Sequence, residues 1–197
     1  MGTIEYEGFN YDGVSDKKTK IVLTHTSRNL RDYLRSLKKR RYGKKFNIPH
    51  YIIGRNGIIH KLVDEEKITK YFYDDDINDD SVIVSLENLG WLEKEPLKDY
   101  YLNWIGDIYR GEVFKKKWRD RHYWEPYTDE QKLSLIEVLH YLTEKMKINF
   151  NVVEHNTLIK DIKKYEGIVT RSNFSDIFTD LNPSFDFEQI LKNIENG

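Results

Sequence analysis

Cysteine is absent from the 197 residues, so no disulfide braces the fold and no thiolate can act as nucleophile or metal ligand. Nothing in the chain approaches the roughly 18 consecutive apolar residues of a membrane span, which excludes a helical membrane protein. Residues 1 to 13 are polar and acidic and lack both the basic n-region and the apolar h-region of a secretory signal, so synthesis in the cytoplasm is expected. Net charge is also missing. With 32 Lys and Arg against 33 Asp and Glu the balance is −1, and the lack of a global basic field argues against nucleic acid as the main partner. The length gives one domain a substantial core and would cramp two, so residues 1–197 are read as a single α/β domain.

What is there is organised around Lys20 to Ser27. Ile21, Val22 and Leu23 form a short apolar run rich in β-branched residues, the mark of a strand buried on both faces, and it ends in the polar cluster Thr24-His25-Thr26-Ser27. A histidine at such a strand end faces a cleft. A second strand-then-histidine stretch, Phe150-Asn151-Val152-Val153-Glu154-His155, follows the longest amphipathic helix pattern. Two buried parallel strands would thus bring His25 and His155 to one edge of a sheet. The proline-pinned loop from Thr179 to Phe185 adds a carboxylate. A lone histidine at a strand end is by default a structural residue. Two imidazoles, one carboxylate and an open fourth position are instead what a catalytic zinc ion requires.

These features, taken in order, resemble the zinc-dependent N-acetylmuramoyl-L-alanine amidases, a family that extends to phage amidase lysozymes and peptidoglycan recognition proteins. The likeness rests on His25-Thr26-Ser27, on His50-Tyr51-Ile52-Ile53-Gly54-Arg55-Asn56-Gly57, and on the strand Val82 to Leu86. It continues through the helix opening Tyr127 to Gln131, the late His155 and the Asp-x-x-Pro-x-Phe of Asp180 to Phe185. Each motif alone is weak, and the ordered set is fairly specific. The resemblance implies a mixed central β-sheet flanked by helices on both faces. It also implies Zn2+ as cofactor, peptidoglycan or a muropeptide as partner, and cleavage of the N-acetylmuramoyl–L-alanine bond, in the setting of a bacteriophage endolysin. Access to the wall would then come through host lysis or as part of a phage particle.

The same resemblance assigns His25, His155 and Asp180 as zinc ligands. Aligning the last loop on the Pro-Ser-Phe of phage members puts Asn182 at the ligand position instead; Asp180 is preferred because a carboxylate binds zinc better than a neutral amide. Glu87, two residues beyond the family's strand-end glutamate position at Ser85, is the candidate general base. Tyr73 is the nearest occupant of a position that often carries a substrate-facing histidine. Pro49 stands where phage members place a tyrosine, and Phe178 stands where the family has a basic residue. A transition-state stabiliser must then come from Arg171 or from a basic residue elsewhere. The departures leave a second reading open: an amidase fold that binds wall fragments, or a protein partner, without cleaving.

Along the rest of the chain, residues 1–19 read as an irregular arm. Leu30, Tyr33, Leu34 and Leu37 fall at helical spacing. The basic run Lys38 to Lys45 reads as a solvated helix end or, alternatively, a phosphate or wall-polymer contact. Asn56-Gly57 between Tyr51–Ile53 and Ile58–Val63 predicts a hairpin. His60 then reads as an ordinary strand side chain and His50 as a hydrogen-bonded structural one. Asp74 to Asp80 reads as a solvated acidic loop. Residues 88–127 form an apparent insertion that holds all four tryptophans. Its aromatics either pack a lid onto the core or line a sugar-binding groove, with Trp91, Trp118 and Trp124 as the candidate substrate contacts. Thr128 and Gln131 predict a capping box opening a helix through Met146, and Phe187, Ile190, Leu191 and Ile194 a short closing helix.

Overall fold

The computed structural model describes residues 2–39, 47–154, 157–188, 190 and 192. The first half of the chain runs β1 (Thr3–Glu5), β2 (Gly13–Val14), β3 (Lys20–His25), α1 (Leu30–Lys39), β4 (Tyr51–Ile53), β5 (Ile59–Lys61), β6 (Lys67–Ile68), α2 (Asp75–Asp79) and β7 (Ser81–Leu86). There follow β8 (Trp91–Lys94), β9 (Tyr101–Leu102), β10 (Ile108–Tyr109), β11 (Phe114–Trp118), β12 (Arg121–Trp124), α3 (Asp129–Met146) and β13 (Gly167–Thr170).

A six-stranded sheet in the order β1-β5-β4-β7-β3-β13 forms the centre. Its pairs are parallel except for the β4–β5 hairpin, which makes the sheet mixed, as expected. β3 and β7 lie side by side with Ile21 opposite Val82 and His25 opposite Leu86, and every residue of both is buried. Side chains alternate across the pleat. Ile21, Leu23, Val82, Val84 and Leu86 face the α3 side, where they meet Leu135, Val138, Leu139 and Leu142. Ile52 faces the other way, with Tyr33 and Leu37 of α1, while Val22 and Ile83 cluster there with Tyr71 and Val169. Helices therefore cover both faces, and this double cover explains why the inner strands read as unbroken apolar runs.

The predicted capping box at α3 forms: the Thr128 hydroxyl accepts from the Gln131 amide at 3.2 Å and the Gln131 side chain accepts from Thr128 N–H at 3.2 Å. Lys147 ends that helix in the left-handed region. The Asn-Gly hairpin also forms, with Gly54 N–H bonded to the Ile58 carbonyl at 2.9 Å. His50 is structural, as expected. Its Nδ1 accepts from Ile83 N–H at 3.0 Å, which leaves Nε2 to donate to the Lys67 carbonyl at 2.9 Å. Burial holds this neutral ring's pKa down to about 3.

Four expectations are corrected. The arm is not irregular, since β1 pairs with β5 and β2 with β6; these are exposed edge segments recruited through backbone hydrogen bonds, which leave no apolar signature. Phe150–Val153 is not a buried strand. Only Val152 forms a bridge, to Ile168, because β13 occupies the place beside β3. Asp74 to Asp80 is not a solvated loop: Asp74 caps α2, Lys163 reaches Asp74 at 2.7 Å and Asp76 at 2.9 Å, and Asp80 pairs with the buried Lys20. The insertion, expected only as an aromatic lid or groove with no strands assigned to it, is a five-stranded antiparallel sheet in the order β10-β9-β8-β12-β11, with Trp124 packed in the interior. In the closing segment Phe187 and Ile190 are buried as expected, and Leu191 and Ile194 lie outside the described residues.

Candidate active site

β3 delivers His25 to the C-terminal edge of its parallel neighbours, on the face shared with Ile21 and Leu23. Asp180 meets it there. The Asp180 Oδ2 accepts from His25 N–H at 3.2 Å, and Oδ1 lies 3.5 Å from His25 Nε2. Arg171 opens the short helical turn Arg171–Asn173 that follows β13, which places it beside β3. Its Nη2 lies 2.9 Å from Oδ1 and 2.8 Å from Oδ2 of Asp180. The guanidinium also stacks over Phe178 at 4.6 Å. Phe178 is thus a ring that supports an arginine arriving from the turn after β13.

The pair is closed from solvent, with His25 5% and Asp180 1% exposed. Burial lowers the His25 pKa more than Asp180 raises it, so the ring is neutral near pH 7. Burial alone would raise Asp180, but Arg171 and His25 more than offset it and hold the carboxyl below its ordinary value. A neutral imidazole and an ionised carboxylate are donors that zinc accepts. Two ligands at about 2.0–2.2 Å on one tetrahedral ion stand roughly 3.3–3.6 Å apart, a spacing the His25–Asp180 separation of 3.5 Å fits. His25 Nδ1 is buried without a hydrogen-bond partner among the described residues, a further sign of a ring with coordinating capacity to spare. Among the described residues no group of three or more His, Cys, Asp and Glu side chains gathers around a metal position. His155, the third expected ligand, lies outside the described residues.

Asn182, the alternative ligand, is hydrogen-bonded through both ends of its amide. Its amide donates to Asn88 Oδ1 at 3.0 Å and to the Glu125 carbonyl at 2.9 Å, while its Oδ1 accepts from Ser184 N–H at 3.0 Å and the Ser184 hydroxyl at 2.6 Å. Glu87 is likewise engaged at both carboxylate oxygens. Its Oε1 accepts from Leu30 N–H at 2.8 Å and its Oε2 from Arg55 N–H at 2.9 Å, so it fastens the start of α1 and the hairpin turn to the end of β7. The strand-face argument for Glu87 located the side chain but could not foresee two distant backbone donors.

Trp124 is fully buried with its indole N–H bonded to the Lys116 carbonyl at 2.8 Å, so it is a core residue and not a sugar contact. Trp91 and Trp118 keep partly exposed rings, the first under Arg121 at 3.7 Å and the second under Arg119 at 4.7 Å. Tyr73 is fully exposed, next to Phe72, which stacks on Phe174 at 4.7 Å.

Three contributors escaped the sequence reading. Gly90, at φ +82°, lies against His25 so closely that a Cβ there would sit 3.1 Å from Nε2; the glycine is required by both backbone and space. Glu125 accepts from Leu89 N–H at 2.5 Å and pairs with Arg55 at 3.1 Å, and burial raises its carboxyl pKa. Arg119, at the tip between β11 and β12, donates to the carbonyls of Ser172 at 3.2 Å, Ser175 at 3.0 Å and Phe178. It clasps the insertion onto the segment that carries Arg171 and Asp180. The crowding of basic and aromatic residues in the insertion was the available signal for Arg119; nothing local marks the other two.

The sequence model of the N-acetylmuramoyl-L-alanine amidase family matches residues 15–168. The chain belongs to this family. The match includes His25 and His155 and ends before Arg171 and Asp180. Solved structures of amidases and endolysins share the fold of this family member. The endolysin amidase LysCS from Clostridium intestinale URNW superposes with a TM-score of 0.60 at 17% identity, over 98% of this chain and 95% of that one. The E. coli amidase AmiD, in complex with anhydro-N-acetylmuramic acid-L-Ala-D-γ-Glu-L-Lys, gives 0.57 at 17% identity, over 94% of this chain and 60% of that one. The Ph2119 endolysin from the Thermus scotoductus MAT2119 bacteriophage gives 0.52 at 12% identity, over 98% of both chains. No curated protein sequence matches.

Proposed function

We propose that this family member hydrolyses the amide bond between N-acetylmuramic acid and L-alanine in peptidoglycan, with Zn2+ held by His25, Asp180 and His155, in the manner of a phage lysin. The observation that carries the reading is the buried His25–Asp180 pair at the sheet edge, 3.5 Å apart, with the imidazole neutral and the carboxylate ionised. Zinc bound there would supply a water of lowered pKa and a Lewis acid for the scissile carbonyl. Arg171 keeps Asp180 charged and places a guanidinium where negative charge on a reacting carbonyl oxygen can be met. Gly90 lies close against the His25 ring, and Arg119 fastens the segment that carries Arg171 and Asp180 to the insertion. The muropeptide bound to AmiD is the ligand class we assign. Among the described residues no helix is long and apolar enough to cross a membrane, so no such anchor is included in the proposal.

Elemental analysis of the purified protein tests this. About one zinc per chain is expected, as for a single three-ligand site, lost in Asp180→Ala and kept in Asn182→Ala. New amino termini should appear on purified peptidoglycan only with the zinc-loaded forms. Absence of zinc after incubation with excess metal would sink the mechanism.

A second reading is favoured by one observation: both oxygens of Asp180 are engaged by Arg171, and both of Glu87 by backbone amides. In that case the fold binds wall fragments without cleaving them. Sedimentation with cell walls that survives chelation and releases no amino termini would select it.

A further inference from the structure

The outer side of α1 carries a concentration of positive charge for which the amidase reaction has no use. Arg31, Arg35, Lys38 and Lys39 are all exposed. In the sequence six of the eight residues 38–45 are Lys or Arg, in a chain whose net charge is −1. Arg31, Arg35 and Lys38 stand at i, i+4 and i+7, a single stripe about 10 Å long. Two cavities flank it and share Arg35 and Lys39. One, of about 770 Å³, has an apolar floor of Tyr6, Leu30 and Leu34. The other, of about 240 Å³, is lined by Arg28 and Asn29 and by Leu89, Asn103 and Ile105 from the insertion. The carboxylates facing this surface are Asp32, 3.6 Å from Arg35, and Asp107. Arg31, Lys38 and Lys39 pair with no described carboxylate. The second cavity begins at Arg28, three residues past His25.

We propose that this face of α1 binds an anionic phosphodiester polymer of the cell wall, of the polyol-phosphate class. The choice of a wall polymer rests on the amidase reading above; the choice of a polyanion rests on the charge. A stripe one helix wide fits one extended chain, and the adjoining cavities admit its uncharged repeat units. Nucleic acid fits less well, because single-strand binding draws on open aromatic faces for bases to stack on. The aromatics here are engaged within the protein: Tyr6 is hydrogen-bonded to His60 at 2.9 Å and packed against Phe9 and His60, and Trp104, 42% exposed, has Arg28 over its ring at 5.1 Å and its indole N–H on the Ser27 carbonyl. Such a contact would hold the chain on its insoluble substrate between cleavage events.

The test is binding of purified poly(glycerol phosphate) to the full chain and to R31Q/R35Q/K38Q, measured by calorimetry across a salt series. Glutamine keeps the helix propensity of these exposed positions, and a thermal melt confirms the fold. We expect the triple variant to bind about tenfold more weakly at low salt, with a log–log salt slope shallower by about two. Equal binding by the variant, no binding by the wild type, or preference of the wild type for a single-stranded oligonucleotide of matched charge would each overturn the proposal. On peptidoglycan stripped of polymer the variant should release amino termini at the wild-type rate. If neither protein releases any, the amidase reading has failed while the binding result stands by itself.

Discussion

Every residue of β3 and β7 is buried, whereas β11 leaves four of its five residues exposed and β12 two of its four. The central sheet is held by apolar side chains pressed from both faces, which is why its strands announce themselves as Val- and Ile-rich runs. The insertion sheet has little to bury. It is held by backbone ladders, by Tyr101 against Tyr123 at 5.1 Å, by guanidinium groups laid on Trp91 and Trp118, and by two deep anchors, Leu92 and Trp124. The candidate metal pair sits on the first kind of structure and is roofed by the second. A rigid floor under a thin cover fixes the donor atoms and leaves the surroundings free to diversify.

The comparison breaks most readily at Trp124. Replacing it by alanine should cost about 4 kcal/mol in urea denaturation, as much as a large residue of the central core, because a fully buried ring leaves a cavity the sheet cannot close. A loss below about 1 kcal/mol would mean that the insertion collapses around the gap and that its anchor lies elsewhere.

Glu87 sharpens the other side. Glu87→Gln turns one acceptor into a donor facing a backbone N–H and should cost about 1–2 kcal/mol of stability. Zinc content and the rate of wall cleavage below the melting range should be unchanged. Collapse of turnover with stability intact would restore Glu87 as the base.

The most gradual effect is one of pH. His50 is buried neutral, with a folded pKa of about 3 against 6.5 for the free side chain. The unfolded chain therefore binds the extra proton in that window, and stability is full above pH 6.5 and declines as pH falls toward 3. The decline from this residue approaches about 1.4 kcal/mol per pH unit. Melting curves from pH 7 to 5 should show the slope, and His50→Gln should flatten it while lowering the starting stability.

How much could be read from the residues follows the same division. β3, β7, the Asn-Gly hairpin and the α3 capping box were legible because each is a local pattern: an apolar run, a turn dipeptide, a hydroxyl three residues before an amide. The pairing of His25 with Asp180 was legible only through the resemblance, since no local rule joins residues so far apart. β13 was hidden because Gly167-Ile168-Val169-Thr170 has only two apolar residues, and its left-handed Gly167 at φ +133° looks like a turn. The insertion sheet was hidden because exposed antiparallel strands carry no burial signature. The fastening role of Glu87 was hidden because its partners are main-chain amides of segments 57 and 32 residues away, which side-chain patterns do not report.

The bond from His25 N–H to Asp180 spans 155 positions of sequence, and β3 cannot complete its own sheet until β13 arrives to lie against it. During translation the first strand must therefore wait, paired on one side only, while most of the polypeptide is made. The donor pair comes into being only after the ribosome has passed Asp180. A nascent chain stalled anywhere upstream carries His25 without its carboxylate, and the arrangement at the sheet edge is the last part of the molecule to be completed.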